Sequence, residues 1–247
     1  MRAGHVGPAG PRTVDPIFVI AQPRTGSGLM NDLLDGLDGV AMGRERLHPH
    51  RHWGTPGRVF RLAPLRHLEW SLASLPAPRR GVVIHTIQLD RTGLTLDDLD
   101  RRWPGARYVV TYRRSLGDMY ASRRVASMTG AWTLLPGQER AGRPLIQVNR
   151  ALMAAEIETY RRAFTATLTH PVIRAKGIGV AFEDLAADPA RLLRETVLDH
   201  LGLEADELPR PRLRRQRDYD IPDIVVDHDA VADLFAATYD PPAAAPI

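Results

Sequence analysis

Four short apolar runs, separated by longer segments of helical periodicity, constrain the fold of this 247-residue chain more than any other feature. The runs are dense in Val, Ile and aromatic residues, as strands buried on both faces of a parallel sheet usually are. They cover residues 17–21, 81–85, 107–112 and 178–182.

Helical patterns fill the intervals between these runs. Apolar residues recur at helical spacing over 29–37 and 145–168, and Asp188 followed by Pro189 predicts the N-cap and first residue of a late helix. Strands that alternate with helices predict an α/β fold, in which a parallel β-sheet is flanked by helices, within a single domain.

The ends of the chain predict where this domain stops. Residues 1–15 are rich in Gly and Pro and 241–247 read PPAAAPI, so we expect a flexible leader, a domain over 16–240 and a flexible tail. The leader lacks the apolar core of a signal peptide, and no apolar run is long enough to span a membrane. We therefore expect a cytoplasmic protein. The interval 44–78, rich in His, Arg and Pro, is interpreted as an insertion over one end of the sheet.

Composition limits the chemistry. The chain has no cysteine, which excludes a disulfide, a thiol nucleophile and a thiolate metal site. Its net charge of +4 indicates an anionic partner without separating nucleotide, nucleic acid and sulfated product. His48, His50 and His52 alternate, but no carboxylate pattern completes a metal site around them. We interpret them as part of a loop on the acceptor side and predict no metal.

The first predicted strand runs into a helix through a turn, in the stretch FVIAQPRTGSGLMNDLL. Ligands of open parallel sheets bind beyond the carboxyl ends of the strands. Gly26 and Gly28 allow a tight turn and a close approach of backbone to ligand, and the following helix offers free N–H groups. With Arg24 and the hydroxyls of Thr25 and Ser27, the turn predicts a cup for a phosphate-like anion; the alternative is a turn without a ligand. It is not a Walker A loop, because the Lys-Ser/Thr pair is missing.

A second strand-to-helix segment, TYRRSLGDMYAS, repeats this arrangement. Arg114 ends the strand, and Ser115 with Asp118 predicts a capping box at the start of the helix. Ser122 lies seven residues after Ser115, on the same helical face. Arg114 and Ser122 could bind a second phosphate group; the alternative is a capped helix with a surface arginine.

The PRTGS turn and the later R-x3-D-x3-S pattern of Arg114, Asp118 and Ser122 together resemble the sulfotransferases that use 3′-phosphoadenosine-5′-phosphosulfate (PAPS). VAFEDLAADPARLL is similar to a late strand and helix of that family. SRRVASMTGAW and RLRRQRD are similar to segments of the bacterial trehalose 2-sulfotransferase group. These matches follow the family order from residue 17 to about 218.

The resemblance implies a P-loop-like sulfotransferase fold and a metal-free transfer of the sulfuryl group to a hydroxyl of a sugar, glycolipid or natural product. It implies that the turn at 24–28 holds the 5′-phosphosulfate and that Arg114 and Ser122 hold the 3′-phosphate, with Arg214 or Arg215 as a further clamp. The chain departs from the family at Gly28, where Ser or Thr is common.

The same resemblance suggests roles in catalysis. Arg24, charged at every working pH, would steady the sulfuryl group and the bridging oxygen. The base is either Glu45 or His85, because a carboxylate and an imidazole can each accept the acceptor's proton. We favour Glu45, since the trehalose-type group has a catalytic glutamate in a similar Gly-rich stretch. The alternatives are a surface ion pair for Glu45 and a hydrogen-bonded strand end for His85.

Two other functions fit parts of the sequence. A P-loop-type kinase of small molecules is disfavoured by the missing Lys-Ser/Thr pair. A basic nucleic-acid-binding module fits the charge, but the arginines fall at strand ends and in one late run, without a known binding motif. We therefore expect a small-molecule hydroxyl acceptor rather than nucleic acid as the partner, and the sequence leaves a homo-oligomer open.

Overall fold

A computed structural model describes residues 15–48, 62–134, 137–138, 142, 144–213, 220–243 and 245–246. Its strands, in chain order, are β1 Ile17–Ala21, β2 Val40–Glu45, β3 Arg79–His85, β4 Arg107–Tyr112, β5 Ile146–Gln147, β6 Gly177–Ala181 and β7 Val225–Val226.

Helices connect most of these strands. They are α1 Ser27–Asp35, α2 Pro64–Ala73, α3 Thr86–Thr92, α4 Leu96–Arg102, α5 Leu116–Thr129, α6 Arg150–Leu168, α7 Pro171–Lys176, α8 Phe182–Ala187, α9 Pro189–Leu192, α10 Leu198–Leu201 and α11 Ala232–Phe235. A π-helical turn, Leu193–Val197, joins α9 to α10. Among the described residues, no helix has both the length and the apolar character needed to cross a bilayer.

The main sheet is parallel, with the strand order β2-β3-β1-β4-β6. This confirms the predicted α/β fold with a parallel sheet between helices. After β1, the chain adds β2 and β3 to the sheet on one flank of β1. It then adds β4 and β6 on the other flank, so the strand order reverses at β1. A ligand site is expected beyond the carboxyl end of β1 for that reason. There Ala21 pairs with His85 on one side and with Thr111 on the other, which brings the ends of three strands together.

Both faces of the sheet are covered, which explains why its strands are almost continuously apolar. Phe18 and Ile20 pack into one buried cluster together with Phe164 of α6. The alternating residues Ile17 and Val19 pack into a second cluster on the opposite face, which includes the buried leucines of α1. The period of two in β1 therefore places α1 on one defined face of the sheet.

The edge strand β2 differs from the sequence prediction. Its last residues, Arg44 and Glu45, belong to the interval 44–78 that was interpreted as an insertion, and α2 also comes from that interval. Of this interval, residues 49–61 lie outside the described part. The sequence VAMGRE has one β-branched residue, so its strand character comes from parallel pairing with β3 rather than from propensity.

Two further boundaries differ. The helical pattern over 145–168 begins as a helix at Arg150, capped by Asn149, because 146–147 pair with β7 instead. Part of the predicted tail also contacts the domain: Ala245 belongs to the main core cluster, and the Gly179 amide donates to the Pro246 carbonyl at 2.5 Å.

Candidate active site

The turn between β1 and α1 is held in a conformation that few residues adopt. Arg24 has φ = 74° and Gly26 has φ = 85°. The left-handed region costs a non-glycine residue about 1 kcal/mol, so Arg24 is a strained position of the kind that clusters at functional sites. At Gly26 a Cβ atom would also lie 2.7 Å from Cδ2 of Phe182. Glycine is thus required there by both conformation and space.

The side chain of Arg24 links the two anion sites that were predicted separately. Its Nε donates to the Ser122 hydroxyl at 2.9 Å, and its Nη1 donates to the Trp132 carbonyl at 2.7 Å. Ser122 lies on α5, the helix that follows β4. The side chain of Arg24 therefore joins the turn after β1 to the helix after β4.

The Thr25 hydroxyl, which the sequence assigned to the predicted anion cup, has two partners within the protein. The Thr25 side chain is fully buried, and its hydroxyl donates to the Gln22 carbonyl at 2.8 Å and lies 2.9 Å from the Thr111 hydroxyl. The hydroxyl is thus directed into the protein, where it fixes the turn to the end of β4.

Ser27, His85 and Glu45 form a connected series beside the turn. The Ser27 hydroxyl lies 3.3 Å from Nε2 of His85, and Nδ1 of His85 lies 3.5 Å from a carboxylate oxygen of Glu45. Gln88 donates from its side-chain amide to the same Glu45 oxygen at 3.1 Å and accepts from the His85 backbone amide at 3.0 Å. The two candidate bases are therefore neighbours, and Gln88 holds both.

Strand register explains this grouping. Glu45 pairs with Val83, which lies two residues before His85 and therefore on the same face of β3. Val83 packs in the same cluster as α1, the helix that begins with Ser27. The ends of β2 and β3 and the start of α1 thus converge on one face of the sheet.

His85 and Glu45 differ in burial. The side chain of His85 is 10% exposed and that of Glu45 is 33% exposed. Burial lowers the pKa of His85, although the Glu45 carboxylate opposes this effect. At neutral pH the imidazole is then uncharged, so one ring nitrogen donates and the other accepts. Such a ring can donate to Glu45 and accept from Ser27, while Glu45 is the more accessible of the two bases.

Arg114 faces a carboxylate. Its guanidinium makes a bidentate contact with Asp184, with both N–O distances at 2.6 Å. The backbone amides of Arg114 and Ser115 donate to Glu183 at 3.0 and 3.1 Å. The predicted capping box is therefore half formed: the Ser115 hydroxyl accepts from the Asp118 amide, but the Ser115 amide is bound by Glu183 instead of Asp118.

Sequence reasoning missed Arg113. Its side chain is buried, with the guanidinium 4.6 Å from the ring centre of Phe182 and within 3.6 Å of Asp118 and Glu183. It also contacts the Arg24 carbonyl at 3.5 Å. A signal was present, because neighbouring residues at a strand end point to opposite faces, so one of two consecutive arginines should turn inward.

The remaining predicted residues are placed only in part. Arg214 and Arg215 lie outside the described residues, as do His50 and His52. In the part of the chain that the structure describes, no three His, Asp or Glu side chains are grouped so that they could hold a metal ion.

Comparison with known proteins identifies the fold. No family model and no curated protein sequence matches the chain. Among solved structures, a sulfotransferase from Alicyclobacillus acidocaldarius has a TM-score of 0.55 at 14% identity, over 90% of this chain and 91% of that one. Sulfotransferase STF1 from Mycobacterium tuberculosis gives 0.39 at 17% identity, over 76% of this chain and 67% of that one. The sulfotransferase domain of a Synechococcus olefin synthase gives 0.43 at 18%, over 92% and 89%. The parallel α/β fold of this chain is thus similar to that of the Alicyclobacillus sulfotransferase.

Proposed function

We propose that the protein is a sulfotransferase that moves the sulfuryl group of PAPS to a hydroxyl of a sugar, glycolipid or natural-product acceptor. One observation carries the proposal: the same turn joins Arg24 and Ser122 on one side to Ser27, His85 and Glu45 on the other. An anion-binding cation and a general base beside one strand end are what transfer of a charged group to a hydroxyl requires.

The donor would bind along the turn and the first part of α5. The backbone at Gly26 and Gly28, the N-terminus of α1 and the Ser27 hydroxyl suit the 5′-phosphosulfate. Ser122 and Arg114 suit the 3′-phosphate. Arg24 contacts Ser122, so it lies where the two ends of a bisphosphate donor would approach each other.

In the proposed step, Glu45 takes the proton of the acceptor hydroxyl as that oxygen forms a bond to sulfur. The bond between sulfur and the bridging phosphate oxygen breaks at the same time. The leaving group is adenosine 3′,5′-bisphosphate, whose new negative charge Arg24 stabilises. His85 orients Glu45 through Nδ1 and contacts the Ser27 hydroxyl through Nε2, so it links the base to the donor turn. The trehalose-type assignment and the Arg214 or Arg215 clamp belong to this proposal as well.

Adenosine 3′,5′-bisphosphate should stabilise the protein against thermal unfolding without added metal. At 100 times its Kd, a ligand that binds the folded state alone adds about 2.7 kcal/mol to the free energy of unfolding. Differential scanning fluorimetry with EDTA present measures the shift. No shift at millimolar bisphosphate, or a shift produced only by magnesium ATP, would contradict the proposal and favour a kinase.

Arg114→Ala should reduce the binding free energy of the bisphosphate by about 1.5–3 kcal/mol, the usual value of a charge-assisted hydrogen bond. Binding of a 3′-phosphate would exchange the Asp184 carboxylate for another anion on the same guanidinium fork. Adenosine 5′-phosphosulfate, which has no 3′-phosphate, should lose much less affinity. Isothermal titration calorimetry compares the two ligands, and equal losses would show that Arg114 does not contact the 3′-phosphate.

The acceptor is best identified by mass spectrometry. A panel of sugars, glycolipids and natural-product alcohols, incubated with protein and PAPS, should yield a product heavier by one sulfuryl group. The Glu45→Gln variant is the matched control, since it should bind the donor and form little product.

A further inference from the structure

The carboxylate of Asp32 lies within α1, 4% exposed, and it holds a segment 180 residues away in sequence. Arg212 donates to it twice, from the backbone amide at 2.5 Å and from Nε at 2.7 Å. The amide of Leu213 donates to the same carboxylate at 3.1 Å. Three donors on one buried carboxylate make a specific anchor rather than a chance surface ion pair.

The guanidinium of Arg212 is also bound by Asp35, at 2.9 Å from Nη2. Asp35 is itself fixed, because its other oxygen accepts from the Met42 amide at 2.9 Å. The two carboxylates raise the pKa of Arg212, and the hydrogen bond to Asp35 is the largest single cause. Arg212 thus serves the anchor.

The anchored segment runs along the whole of α1. A Cβ on Gly36, at the end of α1, would lie 2.6 Å from Pro209, whereas one on Gly28, in the first turn, would lie 3.4 Å from Leu213. Eight residues of helix span about 12 Å, and four extended residue steps span about 13 Å. The lengths match, so residues 209–213 lie extended and antiparallel to α1 and end beside the anion-binding turn.

The anchor also affects charge. Asp32 lies four residues after Gly28, or about 6 Å along the helix, where an uncompensated carboxylate would repel a phosphate bound at the N-terminus of α1. Arg212 neutralises it at close range. A buried carboxylate without its partner would be strongly destabilising, so the segment and the helix depend on each other.

We propose that Asp32 is a positioning residue for the donor: it docks residues 209–213 along α1 so that Leu213 forms a wall of the bisphosphate site at Gly28. This inference rests on the proposed function. It also accounts for the departure at Gly28, since the surface that a serine or threonine side chain would cover is here contacted by Leu213.

Asp32→Asn and Arg212→Gln test the anchor. Each variant should bind adenosine 3′,5′-bisphosphate at least about tenfold more weakly. Each should also raise the KM for PAPS, with little change in kcat at saturating PAPS. The double variant should be no weaker than the worse single one, because both changes break the same contact. Amide hydrogen exchange at residues 212 and 213 should become faster in both variants.

Asp100→Asn is the matched control. Asp100 also accepts from a cation, Lys176. This pair lies next to the amino end of β6, whereas the turn lies at the carboxyl ends of the parallel strands. The affinity of the Asp100→Asn variant for the bisphosphate should stay within about twofold of that of the parent protein.

The outcomes separate this inference from the proposed function. If the parent protein binds the bisphosphate but Asp32→Asn and Arg212→Gln bind it equally well, the anchor proposal is overturned and the proposed function stands. Weaker binding with unchanged exchange at 212 and 213 also overturns it, because Asp32 would then act through charge alone. If the parent protein does not bind the bisphosphate, both proposals fail. Asp32→Asn leaves no buried charge, and its amide oxygen can still accept from a backbone amide, so this variant remains informative if Arg212→Gln does not fold.

Discussion

Arg24→Gly should lower turnover by about 10²–10³-fold, the usual loss when one preorganised donor to a developing negative charge is removed. The substitution is unusually well matched to its site. Arg24 has φ = 74°, a conformation that glycine adopts without strain, so the backbone of the turn can be kept while the guanidinium is lost. Steady-state kinetics at saturating PAPS and acceptor measure the effect.

Comparison with Arg24→Ala isolates the strain. Both variants lose the hydrogen bonds to Ser122 and Trp132, but alanine retains the strained φ. Arg24→Gly should therefore be more stable to urea than Arg24→Ala by about 1 kcal/mol. Turnover should be equally low in both variants. Such a result would show that strain at the turn is tolerated for the sake of the side chain.

Asp227→Gly provides the control for stability. Asp227 is another non-glycine residue at positive φ, 54°, in a turn that precedes α11. Asp227→Gly should be more stable to urea than the parent protein, because it removes the positive-φ strain, and its turnover should be unchanged. Arg24→Gly with near-normal turnover would remove Arg24 from the mechanism, whatever its stability.

The sequence predicted those parts of the site that arise from local patterns. A buried strand, a glycine-containing turn and an amphipathic helix follow one another within 20 residues, so β1, the turn and α1 could be placed without any tertiary information. The same holds for β4 and α5, where the start of the helix is signalled by Ser115. Local hydrogen bonding and periodicity dominate such segments.

The parts that were missed depend on contacts between distant segments. Glu45 and His85 were both predicted as candidate bases, but the strand that ends at Glu45 was not predicted, because VAMGRE has little intrinsic β propensity and is a strand through its pairing with β3. Arg212 reaches Asp32 across 180 residues, and the sequence gives each of them the appearance of an ordinary charged residue. The pairing of an edge strand and the docking of a late segment depend on packing against distant parts of the domain, which local sequence patterns do not reveal.

Whether Glu45 or His85 takes the proton was left open by the sequence, and the structure sharpens the question by placing them 3.5 Å apart. Two coupled groups can share the work of a base, but their surroundings here are unequal. Glu45 has the more exposed side chain, and Gln88 fixes one of its oxygens. His85 is buried between Glu45 and Ser27, where it has less access to an incoming acceptor.

Glu45→Gln should accordingly lower turnover by about 10²–10⁴-fold, the usual contribution of a general base. The amide keeps the shape of the side chain and removes its basicity, so bisphosphate affinity should hardly change. His85→Asn should cost less in turnover but should raise the KM for PAPS, because His85 contacts Ser27 of the donor turn. Measurement of kcat and KM for both variants at matched pH separates the two roles. Near-normal turnover in Glu45→Gln together with an inactive His85→Asn would instead make His85 the base and Glu45 its orienting partner, and the proposed kinship with the trehalose-type group would weaken, since the glutamate is the catalytic feature that the two would share.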